Sequence, residues 1–184
     1  QGRPVYGVDI KIKDDEGNDL PRDGKTAGNL WVKGPWICKG YMNINESGVH
    51  KDDGWFLTGD VANIDQDGYM QITDRVKDVI KSGGEWISTI EIENITIAHP
   101  KVKEAAVIGV RHKKWDERPL LLIVKSEEVS KEQIYEFLVG KIAKWWMPDD
   151  ILFLNELPHT ATGKIRKVEL KTNYINYLID QSSL

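Results

Sequence analysis

A single cysteine, Cys38, occurs in 184 residues, so no intramolecular disulfide can staple the fold, and a cysteine-rich secreted scaffold is excluded. No Cys/His set has the spacing of a zinc site. Long hydrophobic runs are missing too: the apolar stretch Leu120–Val124 falls far short of the ~18 residues that a membrane-spanning helix needs. Neither sign of charge dominates, since 25 Lys and Arg face 29 Asp and Glu for a net charge of -4. Nothing therefore steers the whole chain towards nucleic acid. Internal repeats and low-complexity tracts are absent. What remains is a chain with 40% hydrophobic residues and seven tryptophans, which is enough apolar material for one or two globular domains. The composition fits a reducing compartment, and a cytoplasmic location is the expectation.

The pattern of apolar residues changes along the chain. Val8, Ile10 and Ile12 alternate with charged residues, which predicts a half-buried strand. Leu30–Val32, Trp55–Leu57, Val61–Ile64 and Tyr69–Thr73 predict further strands, with an apolar segment from Trp36 to Tyr41. Asp65-Gln66-Asp67-Gly68 superficially suggests a calcium loop, but its twelfth position is Val76, where an EF-hand needs a bidentate Glu, so a hairpin turn is expected. After Arg75, helices enter. Ser88 with Glu91, and Ser130 with Gln133, have the form of capping boxes that open helices ending near Ala98 and Gly140. Strands are expected at Val102–Val110, Leu120–Lys125 and Ile151–Leu154, and Val168, Leu170, Tyr174, Ile175 and Leu178 approximate a helical stripe. The fold class is thus α+β: a β-rich, barrel-like part over residues 1–74, then a small α+β domain over residues 75–184 with a mixed sheet and flanking helices. Because Gln1-Gly2-Arg3-Pro4-Val5-Tyr6-Gly7 runs straight into strand-like sequence, the chain is expected to be a fragment entered in mid-fold.

Several groups could carry chemistry, each with a plainer alternative. Pro158–Lys164 reads as an exposed loop whose lysine, beside Gly163, could stabilise charge on a phosphoryl or carboxylate oxygen, or could be a solvated surface residue. Asp60 in Thr58-Gly59-Asp60 could accept bonds from the vicinal hydroxyls of a ribose, or could cap a β-turn. Asp74–Asp78 is a charge run where the two parts meet. Gly83 and Gly84 could let a ligand approach the backbone or could form a turn. Arg111–Trp115 mixes cations with an aromatic ring, which suits a nucleotide or simply an exposed hairpin end. Trp145-Trp146-Met147-Pro148 reads as packing.

The order of these segments is more specific than any one of them. Trp55–Asp60, then Asp74-Arg75-Val76-Lys77-Asp78 running on through Lys81-Ser82-Gly83-Gly84-Glu85-Trp86-Ile87-Ser88, then Pro158–Lys164, closely resembles the carboxy-terminal part of the AMP-forming adenylating enzymes. That superfamily includes acyl-CoA synthetases, peptide-synthetase adenylation domains and luciferases. Lys81–Ser88, with Gly34–Ile37 upstream and His112–Pro119 downstream, is most similar to medium- and long-chain fatty acyl-CoA synthetases.

The resemblance implies ATP and coenzyme A as substrates alongside a fatty acid, with Mg2+ held by residues outside this chain. It implies that Asp60 and Arg75 contact the ribose of the nucleotide. Trp86 would lie near the nucleotide or pantetheine, and Lys77 at a hinge within residues 74–78. Gly83 and Gly84 would line the path of the pantetheine arm, and Arg111 would meet the CoA nucleotide. Lys164 would be the catalytic lysine that bridges carboxylate and phosphate oxygens during adenylation. No protein metal ligands are expected here. The family's phosphate loop, adenine pocket and acyl tunnel have no counterpart in the 184 residues, so the chain alone is expected to be inactive. A synthetase for a short or aromatic acid, a carrier-protein adenylation domain and a non-catalytic binding module are the alternatives. Acyl chain length and oligomeric state leave no mark in the sequence.

Overall fold

The computed structural model of the protein describes residues 1–40, 50 and 53–181. The chain divides into two compact units, Gln1–Lys77 and Asp78–Leu184.

In the first unit, β1 (Asp9–Lys13), β2 (Gly28–Lys33), β3 (Phe56–Ile64) and β4 (Met70–Arg75) form an antiparallel sheet in sequential order. Alternation buries one face, where Ile10, Ile12, Leu30, Ala62 and Ile64 pack together. The Asp65 loop is a hairpin turn, since Asp65 Oδ1 accepts the amides of Asp67 and Tyr69 at 3.0 and 2.8 Å. The sheet is open. The four strands among its described residues are too few to close around a packed interior, so the barrel-like expectation is corrected to an open antiparallel sheet.

One local expectation also changes, and the apolar segment that starts at Trp36 takes a definite form. Residues 36–40 form no strand: Ile37 N donates to Gly34 O at 3.2 Å in a turn that leaves Trp36 73% exposed. Tyr41 lies outside the described residues. Thr58-Gly59-Asp60 is not a turn between two strands but part of the continuous β3. The register there jumps from Trp31↔Leu57 to Asn29↔Val61, so β3 carries extra residues in a bulge, and Gly59 takes φ +81° to accommodate them.

The second unit is built on one long hairpin. β7 (Val102–His112) and β8 (Asp116–Lys125) pair in antiparallel register along most of their length. β9 (Asp150–Leu154) adds to β8 in parallel, and β5 (Ile80–Ser82) meets β8 at Ser82↔Asp116, with β6 (Glu85–Ile87) outside it. The sheet is therefore mixed, as the sequence predicts. Its strands are buried on both faces, which is why Leu120–Val124 is a continuous apolar run. Val107, Leu121 and Ile123 face α1 (Thr89–Ile97) and α2 (Lys131–Leu138) through Ile92, Ile134 and Leu138. Ala106, Ile108, Leu120 and Leu122 face α3 (Lys167–Tyr174) and α4 (Tyr177–Gln181) through Leu170, with Tyr174, Tyr177 and Leu178 at the edge.

The helix starts follow their caps. Ser88 Oγ accepts Glu91 N at 3.2 Å, and Ser130 and Gln133 form a complete reciprocal box. No helix among the described residues is long and apolar enough to cross a membrane.

Candidate functional site

In the first unit the bulge in β3 sets Asp60 directly opposite Arg75 on β4. Asp60 N donates to Thr58 Oγ1 at 3.1 Å, and that hydroxyl donates to Leu30 O at 3.1 Å, so the backbone on either side of Gly59 is pinned. Val76 N donates to Gly59 O at 3.0 Å and fixes the end of β4 against the same point. Asp74 is buried and accepts the Arg75 amide at 2.8 Å, and the Arg75 side chain, next along β4, is on the exposed side. Neither the Asp60 carboxylate nor the Arg75 guanidinium has a hydrogen bond or ion pair among the described residues. A rigid frame thus presents an anionic acceptor and a cationic donor side by side, with both valences unused. Lys77 is exposed and is the last residue of this unit.

In the second unit, Gly83 and Gly84 form the two-residue turn between β5 and β6, with φ +58° and +89°. Positive φ at both positions is the requirement of a type I′ hairpin turn, which glycine meets without strain. The two differ in their surroundings. A Cβ at Gly83 would lie 2.9 Å from Trp115 Cε3, whereas one at Gly84 would meet nothing within 4 Å. Gly83 N also donates to Trp115 O at 3.1 Å. Trp86 pairs with Lys81 across this hairpin, and the Lys81 ammonium stands 5.3 Å from the Trp86 ring centroid. Arg111 lies opposite Glu117 near the end of the β7–β8 hairpin. Its backbone amide bonds Ile175 O at 2.8 Å, and its exposed side chain has no partner among the described residues. Arg111, Trp115, Gly83 and Trp86 therefore share one end of this sheet, which brings the sequence candidates for CoA binding together.

Lys164 sits elsewhere in the second unit, on a loop closed by its own backbone. Arg166 N donates to Pro158 O at 2.7 Å, Thr160 N to Lys164 O at 2.8 Å and Gly163 N to Thr160 O at 2.9 Å. Lys164 N donates to Thr160 Oγ1 at 3.2 Å, and Gly163 makes the turn at φ +80°. The neighbouring polar side chains are engaged: His159 Nε2 lies 3.4 Å from Glu104, and the cations Arg166 and Lys167 lie 3.2 Å from Glu169 and 2.7 Å from Glu93. The Lys164 ammonium is exposed and has no partner among the described residues. A free cation at the tip of a braced loop can meet an oxyanion without first giving up an internal contact.

Two residues with a structural part in these sites carry no separable signal in the sequence. Arg118 is 7% exposed and donates to Asp149, Ser82 and the carbonyls of Trp145 and Met147. Lys167 anchors the end of the Lys164 loop to α1 through Glu93 and Thr89. Each looks in the sequence like one more surface cation.

These features define a two-unit α+β protein that offers unpaired charged groups on exposed loops and strand ends. Its fold is shared with the ATP-bound MatB of Rhodopseudomonas palustris, at 35% identity and a TM-score of 0.83 over 96% of this chain and 36% of that one. Residues 91–164 match the AMP-binding enzyme C-terminal domain and residues 1–42 match the AMP-binding enzyme family. The chain is 56% identical to 3-methylmercaptopropionyl-CoA ligase of Ruegeria lacuscaerulensis over 95% of its length. It is 52% identical to the medium-chain-fatty-acid–CoA ligase of Ectopseudomonas oleovorans over 100%. It belongs to the AMP-forming adenylating superfamily. It spans about a third of the length of these curated relatives, 32% and 34% respectively.

Proposed function

We propose that this chain is the part of an acid–CoA ligase that supplies the adenylation lysine and the loop for the CoA arm, and that its acid is a fatty acid. The observation that carries the reading is the Lys164 ammonium, unpaired among the described residues while the nearby Arg166 and Lys167 are both paired. In the first half-reaction a carboxylate oxygen attacks the α-phosphorus of ATP and pyrophosphate leaves, giving an acyl-adenylate. Lys164 bridges the carboxylate and phosphate oxygens and lowers the barrier electrostatically. In the second half-reaction the CoA thiolate attacks the acyl carbon and AMP leaves. Asp60 accepts the ribose hydroxyls and Arg75 donates to the same sugar. Gly83 and Gly84 let the pantetheine arm pass, Trp86 borders the nucleotide or that arm, and Arg111 meets a CoA phosphate. Lys77 is the proposed hinge between the two steps.

ATP and CoA are thus substrates. Mg2+ would accompany ATP, held by residues outside this chain, as the family resemblance implies.

Acid-dependent ATP–pyrophosphate exchange tests the reading. This chain alone should release no pyrophosphate from ATP and dodecanoate. An enzyme that joins it to the remaining length of its relatives should exchange faster with dodecanoate than with acetate or benzoate. Turnover by the chain alone would refute the assignment of the missing groups, and a preference for benzoate would favour the aromatic-acid alternative.

A further inference from the structure

Arg118 lies on β8 beneath the Gly83–Gly84 turn and is almost fully enclosed, at 7% exposure. A buried guanidinium is costly unless its donors are satisfied. Here Nε donates to Asp149 Oδ1 at 2.7 Å, and Nη1 to Trp145 O at 3.0 Å and Ser82 Oγ at 3.3 Å. Nη2 donates to Met147 O at 3.1 Å. The partners come from three separate places in the sequence: β5 immediately before Gly83, the 3-10 turn Lys144–Trp146, and the residues just ahead of β9.

The same guanidinium carbon stands 4.5 Å from the Trp145 ring centroid. Trp145 meets Trp115 edge-on, with centroids 4.9 Å apart at 87°. Trp115 in turn occupies the space that a side chain at Gly83 would need, and its carbonyl accepts the Gly83 amide. The Trp145 indole nitrogen is buried without a hydrogen-bond partner among the described residues, so none of their hydrogen bonds fixes that ring's place. Ring contact and the guanidinium fix it instead. An unbroken line of contacts therefore runs from Arg118 through Trp145 and Trp115 to Gly83, and a second, shorter one runs through Ser82.

We infer that Arg118 is a positioning residue for the Gly83–Gly84 hairpin, setting its conformation for thioester formation and having no part in adenylation. The thioester clause rests on the proposed role of that hairpin; the positioning clause does not. Arg118 itself touches no substrate in this account.

The test has two arms. In this chain, Arg118→Gln should raise hydrogen exchange at the Gly83 amide by about tenfold, because the loss of bonds to a charged donor loosens the hairpin locally. Amides in the sheet centre, such as Leu121 and Ile123, should exchange as before. Asp149→Asn, which removes one charged partner at the surface and opens no cavity, should move Gly83 in the same direction and keeps the test alive if Arg118→Gln does not fold. Unchanged exchange at Gly83, or equal acceleration at Leu121 and Ile123, overturns the inference. In the ligase, Arg118→Gln should slow CoA-dependent thioester formation from preformed acyl-adenylate about tenfold, while the rate of adenylation stays within about twofold and Arg118→Lys restores part of the loss. Local loosening at Gly83 with unaltered thioester formation would sink the CoA role of the hairpin and leave the positioning role standing.

Discussion

Lys167 holds its ammonium 2.7 Å from Glu93 Oε1, joining the first turn of α3 to the middle of α1. The same carboxylate oxygen accepts the Val107 amide at 2.7 Å, and the same ammonium donates to Thr89 Oγ1 at 2.7 Å. Both side chains are little exposed, at 16% and 14%. Three residues earlier, Lys164 is exposed and unpaired among the described residues. One lysine thus holds the loop, while the other is exposed with no partner among the described residues.

The contrast predicts opposite stability effects for two similar substitutions. Lys167→Met removes a close cation from the Glu93 carboxylate and should destabilise the second unit by roughly 2–3 kcal/mol, as expected when one partner of a sheltered charge pair is lost. Lys164→Ala should change stability by less than ~0.5 kcal/mol, the usual range for an exposed residue without partners. Urea unfolding of the two variants checks both values. A larger cost for Lys164→Ala would show that the lysine has a structural role.

The two glycines of the hairpin should differ as well. Gly84→Ala meets open space, and only its positive φ penalises alanine, at about 1–2 kcal/mol. Gly83→Ala adds a contact at 2.9 Å to the Trp115 ring and should cost about 1–3 kcal/mol more. Thermal or urea unfolding would reveal the order, and equal costs would mean that Trp115 yields freely.

Much of this architecture was legible in the sequence, and the failures have physical causes. Alternation at Val8–Ile12 and the caps at Ser88 and Ser130 predict elements that form, because those signals depend on neighbouring residues alone. Thr58-Gly59-Asp60 reads as a turn because a bulge uses the same residue types, and only pairing with β2 and β4 distinguishes the two. The apolar segment that starts at Trp36 gives no sign of the turn that leaves that ring exposed, because its hydrogen bond from Ile37 to Gly34 is a backbone one. Lys164, Asp60 and the glycine pair are visible through motif order. Arg118 is not, because its value depends on Asp149, Trp145 and Ser82, which only the folded sheet brings together.

A pH dependence follows from Asp150 and Tyr177, whose hydroxyl donates to Asp150 Oδ2 at 2.7 Å. Burial, reinforced by that bond to a carboxylate, pushes the Tyr177 phenol up from 10.0 to about 12. Burial also works against ionisation of Asp150, but bonds from Lys131 and Tyr177 outweigh it and leave that carboxyl lower than usual. The signs are opposite. Asp150 contributes stability above its ordinary value of 3.8, and this is lost as pH falls through its lower folded value. Tyr177 contributes below pH 10, and this is lost as pH rises from there towards 12. Tyr177→Phe should therefore cost about 1 kcal/mol near neutral pH, with the difference from wild type narrowing above pH 10. Urea titrations across that range test it, and a difference that does not depend on pH would contradict the linkage.

The most direct test of the account separates the two half-reactions in a ligase carrying Lys164→Ala. Acyl-adenylate formation should fall by about a hundredfold or more, since the charge that steadies the reacting oxygens is gone. Thioester formation from preformed acyl-adenylate and CoA should stay within about threefold of the unaltered enzyme. Equal loss in both steps, or adenylation that survives the substitution, would contradict the role assigned to Lys164.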